Sequence, residues 1–210
     1  MTTKAATDAC IVIPVKGITS GKTRLDSVLS PDERSELNRY LAEHTLEAAT
    51  AAARTFHAIV EVYVISPDPD VAEIAASYSA HFRRQSSVGL NEGLAEAVPL
   101  LPQCRTVFLA ADLPDVTQDD IRPLLETAGI GIAPDEAQIG TNAISVPRPD
   151  VLAFQFGPQS AALHCRSAES TGLPVQVIKR PGLAFDLDEK VDLIRVNGWP
   201  HAFNPRNLEE

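Results

Sequence analysis

The sequence predicts a single α/β domain with a mostly parallel sheet, because short apolar runs alternate with longer amphipathic stretches along the chain. Its 210 residues fit one domain with a sizeable core, and its 44% hydrophobic and 22% charged residues are close to the average of soluble globular proteins. No internal repeat or low-complexity segment interrupts the pattern. We therefore expect one domain over residues 1–210, with a core at about 9–197 and a C-terminal tail at 198–210.

The strands are predicted from short runs rich in β-branched residues. Residues 10–15 (CIVIPV) are too short for a helix, and residues 59–65 (IVEVYVI) end at the turn sequence SPDP. A third clear run, residues 106–111 (TVFLAA), brings Asp112 to its carboxyl end. Weaker or shorter runs predict further strands at residues 81–83, 130–133, 140–146 and 175–178.

The helices are predicted from capping signals and apolar periodicity. Ser30 can cap a helix, Pro31 suits its first turn and Glu33 can complete a capping box, so that a long helix runs to about Arg54. Further helices are expected at residues 70–79, 91–101 and 117–128, and one that opens at Ser160. This alternation gives a Rossmann-like sheet with helices on both faces, and ligands bind such sheets beyond the carboxyl ends of the strands.

Composition excludes several classes of function. The formal net charge of −10 argues against nucleic-acid binding, which needs broad basic surfaces, but it allows a small anion to bind at a local basic loop. Every apolar run is shorter than the roughly 18 residues of a membrane span, and the N-terminus lacks the apolar middle of a signal peptide. We therefore expect a cytoplasmic protein without membrane or nucleic-acid partners, in which Cys10, Cys104 and Cys165 are reduced, small buried residues.

A loop of glycines and cations follows the first strand at the binding edge of the sheet. Lys16, Lys22 and Arg24 supply positive charge, and Gly17 and Gly21 let backbone amides approach a triphosphate. A Walker A phosphate loop does not fit, because three residues instead of four separate the glycines and the helix signals come only at residue 30. The loop therefore favours phosphate binding of another kind, with a solvated polar turn as the alternative.

Three aspartates are candidate metal ligands. Asp112 follows a strand, and Asp186 and Asp188 flank Leu187, so that an extended backbone would present both carboxylates on one face. Hard oxygen ligands without a histidine cluster select Mg²⁺, or Mn²⁺, over softer metals. The alternatives are a helix-capping role for Asp112 and a solvated turn for the acidic pair. His164 lies on the helix predicted after residue 160, and it has either a packing role or a role in the site.

An ordered series of motifs carries a family resemblance over almost the full chain, from about residue 11 to residue 193. The motifs are IPVK and GKTRL in the first loop, GLN at 89–91, ADLP at 111–114, GTN at 140–142, FG-x-x-S-x-x-x-H at 156–164 and DLD at 186–188. This series resembles the CofC/FbiD family of phospholactate or phosphoenolpyruvate guanylyltransferases, which act in the biosynthesis of the deazaflavin coenzyme F-420. After the acidic pair, the chain reads DEKVDL where the family often has DTPEDL, so that a proline at a helix start is lost.

The resemblance implies a fold of the nucleotide-diphospho-sugar transferase type, with GTP as co-substrate and Mg²⁺ (or Mn²⁺) as cofactor. The implied nucleotide-binding residues are Pro14, Val15, Lys16, Gly17, Lys22 and Asn91. The implied binding residues for a phosphorylated acid are Thr141, Asn142, Gly157 and Ser160. The implied metal ligands are Asp112, Asp186 and Asp188, and the expected catalytic residues are Lys22, Arg24 and Asp112.

The expected reaction is in-line attack by a phosphate oxygen of the acid on the α-phosphorus of GTP, with release of pyrophosphate. Such a reaction needs alignment and charge stabilisation more than a strong base. The acceptor stays open among 2-phospho-L-lactate, phosphoenolpyruvate and 3-phosphoglycerate. The alternatives are a sugar-phosphate or cytidylyl-type nucleotidyltransferase of the same fold and a non-catalytic nucleotide-binding module. The expected partners are these small molecules, for a monomer or homodimer that can hand its product to the next enzyme of the pathway.

Overall fold

A computed structural model describes residues 6–196, which form a seven-stranded sheet covered by helices on both faces. The strands are β1 (Ala9–Pro14), β2 (Val60–Ser66), β3 (His81–Arg84), β4 (Arg105–Leu109), β5 (Ile130–Pro134), β6 (Thr141–Val146) and β7 (Val175–Val177). The α-helices are α1 (Pro31–Thr55), α2 (Val71–Ser77), α3 (Leu90–Ala97), α4 (Gln118–Glu126), α5 (Ser160–Glu169) and α6 (Pro181–Ala184). Short 3-10 helices lie at Thr23–Leu25, Val98–Leu100 and Lys190–Arg195.

The sheet has the strand order β3-β2-β1-β4-β6-β5-β7. β1 pairs in parallel with β2 and β4, β2 with β3, and β5 with β7, whereas β6 runs antiparallel to both of its neighbours. The mostly parallel sheet predicted from the sequence is therefore confirmed. As a result, the carboxyl ends of β1, β2, β3 and β4 lie at one edge, and the amino end of β6 lies at the same edge.

Alternate residues of β1 enter two different cores. Ile11 and Ile13 pack on the face covered by α1, α2 and α4, whereas Cys10 and Val12 pack on the face covered by α3 and α5. All four side chains are fully buried, so that each large apolar one contributes about 1.5–3 kcal/mol of transfer free energy. This two-sided burial explains why the strand reads as a continuous apolar run.

The long helix α1 begins as the sequence predicts. The Ser30 hydroxyl accepts a hydrogen bond from Glu33 N at 3.3 Å, and the Glu33 carboxylate accepts one from Ser30 N at 2.8 Å. This capping box satisfies backbone N–H groups that have no partner inside the helix. Thr117 forms a second capping box with Asp120 at the start of α4.

Several boundaries differ by a few residues from the sequence prediction. α3 stops at Ala97, short of residue 101, because Pro99 cannot donate the hydrogen bond that would continue the helix. β4 stops at Leu109, and the next backbone bond, from Ala110 N to Asn142 O at 2.8 Å, leads into a loop. α6 and the three 3-10 helices were not predicted, since their short lengths leave no periodic pattern.

The predicted tail at 198–210 lies outside the described residues. Within residues 6–196, no helix is long and apolar enough to cross a membrane.

Candidate active site

The loops that follow β1 to β4 enclose a cavity of about 720 Å³ at the predicted edge of the sheet. Its wall contains the predicted nucleotide-binding residues Pro14, Val15, Lys16, Gly17 and Lys22. The segment at 85–90 after β3 and the segment at 110–112 after β4 also contribute to the wall. Pockets for small-molecule ligands typically have about 300–1,000 Å³, so that this cavity is large enough for a nucleotide.

The first loop owes its shape to two glycines and to two anchors from elsewhere in the chain. Gly17 (φ 135°) and Gly21 (φ 128°) have backbone conformations that side chains rarely allow, and a Cβ on Gly17 would lie 2.6 Å from a neighbouring oxygen. Asp68 Oδ2 accepts a hydrogen bond from Ile18 N at 2.9 Å, and Asn38 Nδ2 donates to Ile18 O at 2.9 Å. Neither anchor was predicted from the sequence, although Asp68 lies two residues after the end of β2, at the same edge.

Lys22 joins the first loop to the acidic residues. Its ammonium donates to Asp112 Oδ2 at 2.7 Å, to Asp188 Oδ1 at 3.0 Å and to the carbonyl of Leu187, so that all its hydrogens have acceptors. Burial lowers the pKa of Lys22, but the charges of Asp112 and Asp188 outweigh it, and the net pKa is raised. Arg24 is 67% exposed, with Nη1 3.4 Å from Asp188 Oδ2. Lys22 and two of the predicted metal ligands thus form one cluster.

Asp186 belongs to the same cluster, because the charges of Asp112 and Asp188 act on the pKa of its carboxyl. Burial, together with the nearby charges of Asp112 and Asp188, raises the pKa of its carboxyl to about 6, against a hydrogen bond from Asn142 that lowers it. Asn142 Nδ2 lies 3.2 Å from Asp186 Oδ1 and 3.0 Å from Leu183 O. The shift thus reflects first the burial of this carboxyl and then its closeness to two other carboxylates, which is where a cation would be favoured.

The cluster fits a divalent cation by donor chemistry and charge. Asp112, Asp186 and Asp188 offer carboxylate oxygens, the ligands that Mg²⁺ and Mn²⁺ prefer. Across residues 6–196, however, no three His, Cys, Asp or Glu side chains are arranged as a complete metal-binding group. The Lys22 ammonium supplies the positive charge between Asp112 and Asp188 in this arrangement. Metal binding would therefore require these side chains to rearrange around the ion.

The predicted acid-binding residues lie together beside this cluster. Thr141 and Asn142 begin β6, Ser160 begins α5, and Gly157 precedes it with φ 131° and open space where a Cβ would stand. Thr141 Oγ1 lies 3.1 Å from His164 Nδ1, which connects the start of β6 to α5. These residues are not in the wall of the 720 Å³ cavity, but Asn142 contacts the acidic cluster directly. The residues predicted to bind the acid and those predicted to bind the nucleotide thus meet at the aspartates.

The Asn91 side chain is bound to the backbone of Phe156, a contact that the sequence did not predict. Its Nδ2 donates to Phe156 O at 3.0 Å, and its Oδ1 accepts from Phe156 N at 2.8 Å. Asn91 is not in the cavity wall, although its neighbour Leu90 is. A contact between the Asn91 amide and a nucleotide would have to compete with these two hydrogen bonds. No local signal in the sequence pairs these residues, because 65 positions separate them.

The comparison with known protein families agrees with this geometry. The family described as "Guanylyl transferase CofC like" matches residues 9–198. The chain belongs to this family. A phosphoenolpyruvate guanylyltransferase from Sphaerobacter thermophilus is 40% identical over 194 residues, which cover 89% of this chain and 91% of that protein.

Two more distant proteins extend the comparison. A 3-phospho-D-glycerate guanylyltransferase from Phenylobacterium zucineum is 31% identical, over 90% of this chain and 89% of that protein. A candidate nucleotide-diphospho-sugar transferase from Desulfovibrio desulfuricans, known from a crystal structure, superimposes with a TM-score of 0.67 at 18% identity, over 97% of this chain and 94% of that one. The structural likeness shows the expected fold of the nucleotide-diphospho-sugar transferase type.

Proposed function

We propose that the protein transfers GMP from GTP to a small phosphorylated acid and releases pyrophosphate, as a step in the biosynthesis of coenzyme F-420. One observation carries the proposal: a nucleotide-sized cavity whose wall includes Lys16, Lys22, Asp112 and Asp188. Membership of the guanylyl transferase family supports the nucleotide. The names of the relatives support the class of acceptor.

The first loop is the proposed binding site for the triphosphate. The positive φ angles of Gly17 and Gly21 turn the backbone close to the cavity without a side chain in the way. Lys16 and Lys22 add positive charge in a protein of net charge −10, so that the local potential differs from the global one. Arg24 stands at the exposed rim of the cluster, where it can contact the leaving pyrophosphate.

The chemical step exchanges one phosphoanhydride linkage for another. A phosphate oxygen of the acid forms a bond to the α-phosphorus of GTP, and the bond from that phosphorus to the bridging oxygen breaks, so that pyrophosphate leaves with its electron pair. The attacking phosphate is already anionic and needs no general base. Lys22 and Arg24 stabilise the charge on the leaving group. The first loop and the loop before α5 align the two substrates for the attack.

The proposed metal ligands are Asp112, Asp186 and Asp188. Bound Mg²⁺, or Mn²⁺ in its place, would neutralise phosphate charge and orient the reacting oxygens. Lys22 forms ion pairs with Asp112 and Asp188. A bound ion would compete with the lysine for these two carboxylates. The lysine would then be freer to reach the phosphates, as its proposed catalytic role requires.

The proposed acceptor site is formed by Thr141, Asn142, Gly157 and Ser160. They lie beside the acidic cluster and outside the nucleotide cavity, which suits a second substrate that approaches the α-phosphorus from another side. Phosphoenolpyruvate is the first acceptor to test, because the relative named for it is 40% identical and the one named for 3-phospho-D-glycerate is 31% identical. A cytoplasmic location, the choice between monomer and homodimer, and hand-over to the next enzyme stay predictions.

The proposal is tested by incubating the protein with Mg²⁺, each of the four NTPs and each of the three phospho-acids, while pyrophosphate release is recorded. Release with GTP and one acid is the expected result, and it names the acceptor. Release with CTP, UTP or ATP alone would refute the choice of nucleotide. Folded protein that binds GTP and releases nothing with any acid would refute the proposed transfer.

A further inference from the structure

His164 is a fully buried polar side chain beside the proposed acceptor site. It is 0% exposed, and both of its ring nitrogens have partners. Nε2 accepts a hydrogen bond from Gln155 N at 3.0 Å, and Nδ1 lies 3.1 Å from Thr141 Oγ1. Burial lowers the pKa of His164 to about 4, so that the imidazole is neutral near pH 7.

The partner of Nε2 fixes the direction of the other hydrogen bond. A backbone N–H can only donate, so that Nε2 of His164 must be the unprotonated nitrogen. A neutral imidazole carries one proton, which then lies on Nδ1 and is donated to Thr141 Oγ1. Within the described residues, Thr141 Oγ1 has no other hydrogen-bond partner. The hydroxyl hydrogen of Thr141 therefore has no acceptor among the described residues, and the residue keeps 7% of its surface exposed.

The same imidazole also holds the loop that carries Gly157. Its bond to Gln155 N fixes the backbone two residues before Gly157, and the ring meets the Phe156 ring edge-on at 4.9 Å between centroids. One side chain thus links the start of β6, α5 and the loop before α5. These are the three segments that contribute the proposed acceptor residues.

We propose that His164 is a positioning residue for the acceptor, which orients the Thr141 hydroxyl to donate a hydrogen bond to an anionic oxygen of the phosphorylated acid. This inference rests on the proposed function. Phosphate and carboxylate oxygens only accept hydrogen bonds, so that a hydroxyl locked as a donor suits either group. The hydrogen bonds run in one direction, from Gln155 N–H to His164, from His164 to Thr141 and from Thr141 to the acid.

The test is a double-mutant cycle with GTP and the acid that the wild-type protein uses. Thr141→Val removes the hydroxyl and keeps the shape, and it should raise the KM for the acid about 10- to 100-fold while the KM for GTP stays within about two-fold. His164→Leu should raise the same KM. The effect of the double variant should be clearly smaller than the sum of the two single effects, because His164 acts on the acid in part through this hydroxyl and in part through the loop that carries Gly157.

A conservative variant separates positioning from packing. His164→Asn places an amide N–H near the position of Nδ1. Its KM for the acid should therefore lie much closer to the wild-type value than the raised KM of His164→Leu. Thr141→Ser, which keeps a hydroxyl, should likewise stay close to the wild type. Thermal unfolding and GTP binding of each variant are the controls for folding.

Additive effects of His164→Leu and Thr141→Val would overturn the inference, as would an unchanged KM for the acid in Thr141→Val. An unchanged KM for the acid in Thr141→Val overturns the inference even if His164→Leu does not fold. Either result, obtained while the wild type releases pyrophosphate with the acid, leaves the proposed function standing. A wild type that is inactive with every acid would overturn the proposed function and the inference together.

Discussion

Mild acid should destabilise the protein through His164. Its pKa is lowered from 6.5 to about 4 by burial in the folded state. Between these two values the unfolded chain binds more protons at this site than the folded protein does, so that stability falls as the pH falls. The stabilising contribution of the neutral ring is complete above about pH 6.5 and is lost as the pH falls through about 4.

The size of the effect follows from the difference between the two pKa values. A drop from 6.5 to about 4 corresponds to about 3 kcal/mol of unfolding free energy, at about 1.4 kcal/mol per pH unit. The side chain is fully buried, so that solvent does not reduce this figure appreciably. His164→Asn removes the titrating group and keeps an amide N–H for Thr141, although Gln155 N loses its acceptor. Its loss of stability between pH 7 and pH 4.5 should be smaller than that of the wild type by about 2 kcal/mol.

The assay is urea unfolding at half-unit steps from pH 4.5 to pH 7.5. Acid also titrates carboxylates, so that the difference between wild type and variant is the relevant quantity. His57→Asn is the matched control, because His57 is exposed and this variant should follow the wild-type curve. Parallel curves for the wild type and His164→Asn would refute the burial of a neutral imidazole at this position.

Three further variants test the cluster and the acceptor loop. Asp112→Asn should abolish pyrophosphate release and lower thermal stability only modestly, since it keeps the side-chain shape and Asp188 still pairs with Lys22; near-normal turnover with Mg²⁺ would contradict the assignment. Lys22→Met should lower the unfolding free energy by about 1–2 kcal/mol without metal, because Asp112 and Asp188 lose their cation. Added Mg²⁺ should recover part of that loss, and an unchanged urea midpoint would argue against the pairing. Gly157→Ala should cost about 1–2 kcal/mol and raise the KM for the acid, because φ is 131°. Gly172→Ala, at φ 74° and outside the site, should lose stability with unchanged kinetics.

Local signals made much of the fold predictable. The capping box at Ser30 lies within four consecutive residues, and it fixed the start of α1 correctly. The run before Asp112 placed this residue at the carboxyl edge of the sheet, where the structure has it. The direction of β6 could not be predicted from the sequence. All six of its residues are buried, and a continuously buried run has the same pattern in a parallel and in an antiparallel strand.

The contacts within the site were less predictable, because they join distant parts of the chain. Lys22 is 90 residues from Asp112 and 166 from Asp188, and no spacing rule brings them together. The sequence pointed to phosphate as the partner of Lys22, whereas the structure adds a direct ion pair with the predicted metal ligands. Asn91 likewise has Phe156 as a partner, which only the packing of α3 against the loop before α5 reveals.

The most direct test of the central claim follows the two ends of the triphosphate separately. The protein is incubated with Mg²⁺ and phosphoenolpyruvate, once with GTP labelled at the α-phosphorus and once with GTP labelled at the γ-phosphorus, with Asp112→Asn as the inactive control. The expected result is that the α label appears in a product that contains the acid, and that the γ label appears in an equal amount of pyrophosphate. A γ label on the acid or in free inorganic phosphate, or an α label that ends in free GMP, would contradict guanylyl transfer.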